Sequence, residues 1–441
     1  MTGTTPTSGP DSISGLDGND VLDGSGGANV ILGGAGDDTI YASGIGETLD
    51  GGDGIDTYIY AGVEWSVIDI GLNFVTKAGV TDTLAGFERG YGGSGNDTVK
   101  GSEFDNTLGG GQGKDIVDGR GGFDLVDYSA SYSGAPTMGA IVNLSSASVT
   151  VGGTTYGTGT ARDGWGSIDT LTNIEGAIGT AFADTLIGRT DAGSSLVGGA
   201  GDDSLTGSGG ANTLIGGAGD DTIAFTGYTE SLLGGDGNDT LIYRGAQSLV
   251  IDLGTDNSGP NGYKGFISNF SVLSDVFSVE RAYGSTGADT IKGTNGDDTL
   301  SGDAGNNIID GRAGFNTLDY STSYVGTIAA AAFVNLSATD QTIGGTTVVA
   351  GKARNPWGGT DSLTNDTNVV TIAGVLGTAF ADTMVGSNQD NRLAGGDGND
   401  TLNGSGGNDT LLGGTGDDTL RGGDGNDSVD GGAGNDTLDT T

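Results

Sequence analysis

Aspartate recurs at the sixth place of a nine-residue unit in GGDGNDTLN GSGGNDTLL GGTGDDTLR GGDGNDSVD GGAGNDTLD, residues 395–439. Asp400, Asp409, Asp418, Asp427 and Asp436 fill that place, and Gly395, Gly413, Gly422 and Gly431 open four of the five units. Glycine also stands at every fourth place, and Leu or Val at every eighth. The glycines permit positive φ and close backbone approach, so carbonyl oxygens can turn inward. A carboxylate added to those carbonyls makes a hard oxygen set of flexible geometry, which suits Ca²⁺ better than Zn²⁺ or Cu²⁺. Six residues of each unit read as a turn and three as a short strand. The eighth-place aliphatic faces inward and builds a thin apolar ladder.

Composition points the same way. The 441 residues include 93 Gly, 51 Asp and only seven Glu, with a net charge of −42. That bias favours a short-reach turn residue or cation ligand over a solvating acidic tail. The charge argues against nucleic acid and anionic membranes as partners. It also makes the metal-free chain self-repelling, and the expected apo state is expanded or poorly folded. With no His and no Cys, His-dependent triads, thiolate metal sites and disulfides are excluded. No stretch reaches membrane-spanning length, and residues 1–10 lack the charged and apolar regions of a signal peptide.

The nine-residue period appears in five blocks, 6–59, 92–127, 179–242, 284–319 and 377–439. The linking segments 60–91, 128–178, 243–283 and 320–376 are richer in aromatic and β-branched residues, and runs such as SVIDI and SLVIDL read as strands. A longer repeat overlies the short one. SGGANVILGGAGDDTIY at 25–41 returns at 208–224, VDYSASY at 126–132 returns as LDYSTSY at 318–324, and GTAFADT at 179–185 returns at 377–383. The chain is therefore a tandem duplication, with units expected at 1–187 and 188–385 and a third, partial roll at 386–441.

The nonapeptides resemble the G-G-x-G-x-D-x-U-x repeat of the RTX, or haemolysin-type calcium-binding, family. The resemblance implies an all-β fold, a right-handed parallel β-roll or β-helix solenoid in which two nonapeptides make one coil and Ca²⁺ lies between turns two repeats apart. Sixth-place residues on one edge then recur every 18 residues. In the first block one edge carries Asp20, Asp38 and Asp56, with Gly33 and Gly51 opening their turns; the other carries Asp11, Asn29 and Glu47. In the third block one edge carries Asp203, Asp221 and Asp239, with Gly198, Gly216 and Gly234; the other carries Asn212 and Glu230. Calcium is expected along one edge of these two rolls and along both edges of the last. The second block offers Asp97 and Asp115 on one side. The fourth, read as Asp289 and Asp298 opposite Asn307 and Asn316, is expected to bind little or none.

The family resemblance further implies export unfolded, folding on extracellular calcium, and a place on the surface of a Gram-negative bacterium. The expected role is structural: a surface layer, matrix or fibre formed by self-assembly, head-to-tail through open coil ends, with cell-surface polysaccharide as a possible partner. The alternatives are an adhesin or ligand-binding module and a polysaccharide lyase or epimerase; the structural reading implies no enzymatic activity. Trp165 and Trp357, in the matched contexts DGWGSIDTL and NPWGGTDSL, are read as loop caps before sugar platforms. Tyr128 and Tyr320 are read as aromatic filling where the roll widens, and Arg162 and Arg354 as members of structural ion pairs.

Overall fold

A computed structural model describes residues 9–130, 132–207, 209–226, 231–254, 265–268, 273–324, 326–343, 346–364 and 370–440. The described residues form strands and turns and no helix. Compactness divides the chain into Met1–Asp221 and Thr222–Thr441. This division falls inside the third roll block, whereas the duplication places its boundaries at 187/188 and 385/386.

In the first unit every coil contributes one strand to each of two facing parallel sheets. Ser12–Asp17, Val30–Ala35 and Thr48–Asp53 stack in one sheet, with Ser12 opposite Val30 and Val30 opposite Thr48. Val21–Asp23, Thr39–Ala42 and Thr57–Tyr60 stack in the other, again 18 residues apart. The eighth-place side chains Ile31, Ile40, Leu49 and Tyr58 are buried between the sheets, as are Val99, Leu108, Val117 and Val126 further along. This ladder is narrow, so each coil buries little apolar surface and the turns must contribute to stability. The second unit repeats the plan, for example in Arg392–Asp397, Thr410–Thr415 and Ser428–Ala433.

Three strand residues per nonapeptide are found at Thr98–Lys100, Thr107–Gly109 and Ile116–Asp118. In the tight rolls the strands run to six, because identical turns also stack in register: Leu16 pairs with Gly34, Gly199 with Gly217 and Gly396 with Gly414. The linking segments are antiparallel excursions from the coil. Ser66–Asp69, Phe74–Lys77 and Val80–Ala85 form a meander whose outer strands rejoin the parallel sheet against Thr98–Lys100 and Thr48–Asp53. Ile141–Asn143, Thr160–Arg162 and Ile168–Thr172 do the same in the next link.

These excursions shift the phase of the duplication. Val30–Ala35 and its copy Thr213–Ala218 both lie in the first unit, but on opposite sheets. An odd number of half-coils separates them. Asp20, Asp38 and Asp56 therefore precede strands of one sheet, and Asp203 precedes a strand of the other. Within the first unit, the row Asp20, Asp38 and Asp56 and the aspartate Asp203 stand on opposite edges.

Candidate metal centre

Each sixth-place carboxylate is aimed by its turn. Its Oδ1 accepts the amide N–H of the sixth-place residue one coil earlier: Asp20 N–H to Asp38 at 2.7 Å, Asp38 to Asp56 at 2.7 Å, Asp203 to Asp221 at 2.8 Å, Asp400 to Asp418 at 2.7 Å and Asp418 to Asp436 at 3.0 Å. The second residue of the turn decides what the other oxygen meets. Where that residue has positive φ, as at Gly34 (+123°), Gly52 (+111°), Gly199 (+119°), Gly396 (+109°) and Gly414 (+114°), its N–H makes no bond to the carboxylate. The Oδ2 atoms of Asp20, Asp38, Asp56, Asp115, Asp203, Asp400, Asp409, Asp418 and Asp427 are buried with no hydrogen-bond partner. Asp221 and Asp239 sit in turns of the same form, with Gly217 at +125° and Gly235 at +127°, and so does Asp436, with Gly432 at +87°.

Where the second residue is Thr180, Ser285, Thr294 or Thr378, none at positive φ, the turn closes on itself, whereas Ser405, at +76°, leaves the Asp409 turn open. Thr180 N–H donates to Asp184 Oδ2 at 2.6 Å, Ser285 N–H to Asp289 at 2.7 Å, Thr294 N–H to Asp298 at 2.7 Å and Thr378 N–H to Asp382 at 2.6 Å. Their hydroxyls add further bonds to the same carboxylates. Asp97 belongs with these in spite of its glycines: Gly93 N–H reaches its Oδ2 at 2.9 Å, and Ser66 N–H and hydroxyl reach its Oδ1 at 2.6 and 2.8 Å. Asp97 was expected to bind calcium, yet both its carboxylate oxygens are used within the protein, as are those of Asp289 and Asp298, expected to bind little or none.

The open turns are lined by oxygen. A Cβ added at Gly33 would strike Gly51 O and Asp38 Oδ2; one at Gly413 would strike Gly431 O and Asp418 Oδ2. Gly51, Gly198, Gly395, Gly422 and Gly431 crowd their own sixth-place aspartates in the same way, and Gly216 brings its carbonyl against Gly198. A buried carboxylate oxygen without a donor is costly. A hard cation is the ligand that removes the cost, and carbonyl-plus-carboxylate sets of this kind fit Ca²⁺. Among the described residues no three acidic side chains form a ready-made cage, so one or two carboxylates with backbone carbonyls would hold each ion. Bound there, calcium supplies charge neutralisation and a cross-link between successive coils.

Burial pushes these carboxyls up, with neighbouring aspartates adding to it: Asp203 and Asp115 to about 8, Asp400 and Asp124 to about 7, Asp56 and Asp409 to about 6. An aspartate whose folded value lies above its unfolded one contributes most stability when protonated, below about pH 4, and that contribution is lost as pH rises to about 8. Calcium-free protein is therefore expected to keep more β-structure at pH 5 than at pH 8, while calcium binds more weakly at pH 5 because protons compete. Circular dichroism across pH, with and without calcium, measures both signs.

The opposite edge of the first block carries its own donors. Asn29 Nδ2 donates to Glu47 Oε1 at 3.1 Å and Gly24 O at 3.0 Å. The Lys77 ammonium, brought in by the linking meander, lies 3.2 Å from Glu47 Oε2 and 2.6 Å from Asp82 Oδ2, and all three groups are buried. Burial still raises Glu47 above its ordinary value. Lys77→Met should cost about 3 kcal/mol, the lower end for breaking a buried pair, because the two carboxyls can then share a proton. Urea midpoints of the calcium-loaded variant and parent test this.

Arg120 and Arg312 are further built-in cations. Each occupies the second place of a turn at positive φ, +70° and +59°. Arg120 binds Asp69 through two nitrogens at 2.8 and 2.6 Å and Gly101 O at 2.8 Å. Arg312 binds Asp252 Oδ2 at 2.7 Å and Gly293 O at 2.6 Å. The matched contexts DGRGGFD and DGRAGFN carried this signal. They also carried Asp124, an open-turn aspartate with a free buried Oδ2 that the sequence reading passed over.

Two readings need correction. Asp289 and Asp298 are not opposite Asn307 and Asn316. Eighteen residues make a coil, so each Asp shares an edge with an Asn: Asp289 N–H donates to Asn307 Oδ1 at 2.9 Å and Asp298 N–H to Asn316 Oδ1 at 3.1 Å. Arg162 and Arg354 form no ion pair among the described residues; Arg162 donates to Gly139 O at 2.7 Å and Arg354 stacks over Phe333. Tyr128 and Tyr320 are buried as read, and each hydroxyl donates to an acid distant in sequence, Asp169 for Tyr128 and Asp361 for Tyr320. The tryptophans do act as caps: Trp165 Nε1 donates to Ala135 O at 3.0 Å, and Trp357 packs edge-on against Tyr320. Glu230 lies outside the described residues.

Stacked parallel coils whose oxygen-lined turns leave carboxylate oxygens without donors define a cation-binding β-solenoid protein. The family model of the RTX calcium-binding nonapeptide repeat matches residues 6–40, 91–126, 190–223, 226–242, 283–318, 376–411 and 403–438, about half of the chain, and the chain belongs to that family. No curated protein matches it. Repeats of this family bind calcium and are typical of secreted proteins. Among the described residues no helix is long and apolar enough to cross a membrane.

Proposed function

We propose that the protein is an extracellular structural protein that folds when it meets calcium outside the cell and then assembles with copies of itself at the surface of a Gram-negative bacterium, as a layer, matrix or head-to-tail fibre. The observation that carries this reading is the row of donor-free buried carboxylate oxygens, one per coil, at Asp20, Asp38 and Asp56 and again at Asp400 and Asp418. A chain of net charge −42 with such a row stays open where calcium is scarce and closes where it is plentiful, because the ion binds the folded state. The free oxygens face the backbone of their own turns. The acid–phenol pairs Tyr128–Asp169 and Tyr320–Asp361 are buried in the coil. Both placements favour a structural use over catalysis. Cell-surface polysaccharide is the anchor this reading expects.

The test adds millimolar calcium to chelated protein and follows circular dichroism, light scattering and electron microscopy together. Folding with growth of ordered assemblies is the expected result. Folding into a persistent monomer at high concentration removes the assembly role and leaves a ligand-binding module.

A further inference from the structure

The two copies of the duplicated link treat one spot differently. Residues 192 apart correspond across it, as VDYSASY at 126–132 and LDYSTSY at 318–324 show. In the second unit Asn307, at the sixth place of its turn, and Asn355, on the linking loop, direct their amide groups to one carboxylate. Asn307 Nδ2 lies 2.9 Å and Asn355 Nδ2 3.0 Å from Asp361 Oδ1. Asn355 Nδ2 also donates to Gly305 O at 2.8 Å, and Tyr320 gives its hydroxyl to Asp361 Oδ2. One carboxylate is met there by two amides and a phenol.

In the first unit the corresponding residues are Asp115, Asp163, Asp169, Tyr128 and Gly113. Asp169 and Tyr128 keep their parts: the phenol lies 2.9 Å from Asp169 Oδ2, and Asp115 N–H lies 2.9 Å from Asp169 Oδ1. Both amides, however, have become carboxylates, which have no N–H to give. Asp163 Oδ1 accepts from Trp165 N–H at 3.0 Å and Ser167 N–H at 2.7 Å, and Asp115 Oδ1 accepts from Asp97 N–H at 2.7 Å. Asp115 and Asp163 are 1% and 0% exposed, and the Oδ2 of each is buried without a hydrogen-bond partner. The nearest cations in sequence are engaged elsewhere: Arg162 is turned to Gly139 O, and Lys114 is exposed.

We propose that Asp115 and Asp163 form a calcium site in the first unit, and that Asn307 and Asn355 replace the ion by amide hydrogen bonds in the second. Half of this site comes from a linking loop, outside the nonapeptides. Two buried carboxylates, each with one oxygen that meets no donor, beside a third that is hydrogen-bonded through both oxygens call for a positive charge, and oxygen donors select a hard divalent ion. The proposal rests on the calcium reading of the turns. It adds that the two units differ in how they cross-link the same coil, one by an ion and the other by its own side chains.

The experiment uses the full chain and terbium(III), which takes calcium's oxygen sites and emits when a nearby indole is excited. Trp165 is bonded through its backbone to Asp163. Asp163→Asn is expected to lower tryptophan-excited emission and to reduce bound calcium, measured by equilibrium dialysis, by about one ion. The reverse pair, Asn307→Asp with Asn355→Asp, is expected to gain about one ion and to raise emission through Trp357. Far-ultraviolet circular dichroism reports calcium-driven folding in each case. If Asp163→Asn folds on calcium and binds as many ions with unchanged emission, the carboxylates are neutralised by protons and the site does not exist, while the reading of the turns survives. If Asp163→Asn fails to fold, the reverse pair decides, and no gain there overturns the proposal. If calcium drives no folding of the unaltered chain, both readings fall.

Discussion

Chelating calcium from the folded protein at neutral pH is expected to remove most of its β-structure, and restoring millimolar calcium to bring it back in one sharp transition. The size of the effect follows from linkage. An ion that binds only the folded state at a hundred times its Kd adds about 2.7 kcal/mol per site. Domain stabilities are about 5–15 kcal/mol, so the loss of a few sites is enough to unfold a unit. The narrow apolar ladder offers little to offset that loss, and the freed carboxylates repel one another along each edge. Sharpness follows from the stacking: each open carboxylate also accepts the amide of the coil before it, as Asp418 does from Asp400, so neighbouring sites fill together. Some structure should outlast the ion. Lys77 between Glu47 and Asp82, Arg120 on Asp69 and Arg312 on Asp252 are charges that chelation does not remove. Hydrogen exchange during chelation should show the coils around these residues losing protection after the roll at 392–439. A calcium-free protein at pH 8 with an unchanged spectrum and melting transition would sink the calcium reading altogether.

The period was legible because it is written twice, in the glycines and in the eighth-place aliphatics; Ile31, Leu49, Leu402 and Leu420 are buried as that pattern requires. The candidate ligands were legible as residue types, since 18-residue recurrence places Asp20, Asp38 and Asp56 on one edge. Whether a carboxylate has a free oxygen was less legible. The hydroxyls of Thr180 and Ser285 hint at closed turns, but Ser405 stands in an open one, and Asp97 follows Gly92-Gly93 and is closed all the same. There the decisive fact is the rotation of Gly93, which lacks positive φ and turns its N–H onto Oδ2, a choice that residue type alone does not fix. The half-coil shift between copies was hidden for a related reason. It depends on how many strands each link adds to the coil, and a link such as 60–91 contains an antiparallel meander whose strands do not keep the nonapeptide period. The built-in cations share this origin: Lys77 belongs to no repeat, and only folding of the meander carries it to Glu47.

Two glycine substitutions in the last roll separate the oxygen cradle from mere turn flexibility. Gly414 stands at the second place of its turn with φ +114°, and a Cβ there would lie on the Gly396 carbonyl oxygen. Gly406, in the neighbouring turn, lacks positive φ, and the nearest atoms to an added Cβ are 3.8 Å away. Gly414→Ala must either hold a strained backbone, of order 1–3 kcal/mol, or rotate the peptide so that the turn closes on Asp418 as Thr180 closes on Asp184. The second outcome gives the carboxylate a donor and forfeits the ion, worth about 2.7 kcal/mol at a hundredfold excess over Kd. Either outcome costs about 3 kcal/mol, and the second also shifts the calcium midpoint upward with about one fewer ion bound. Gly406→Ala should stay within about 0.5 kcal/mol and bind calcium as the parent does. Denaturation at several calcium concentrations distinguishes the two components: strain persists at saturating calcium, whereas the lost ion shows as a smaller gain in stability per decade of calcium added. Equal behaviour of the two variants would mean that the second glycine serves only to let the chain turn, and that the free Oδ2 of Asp418 does not depend on it.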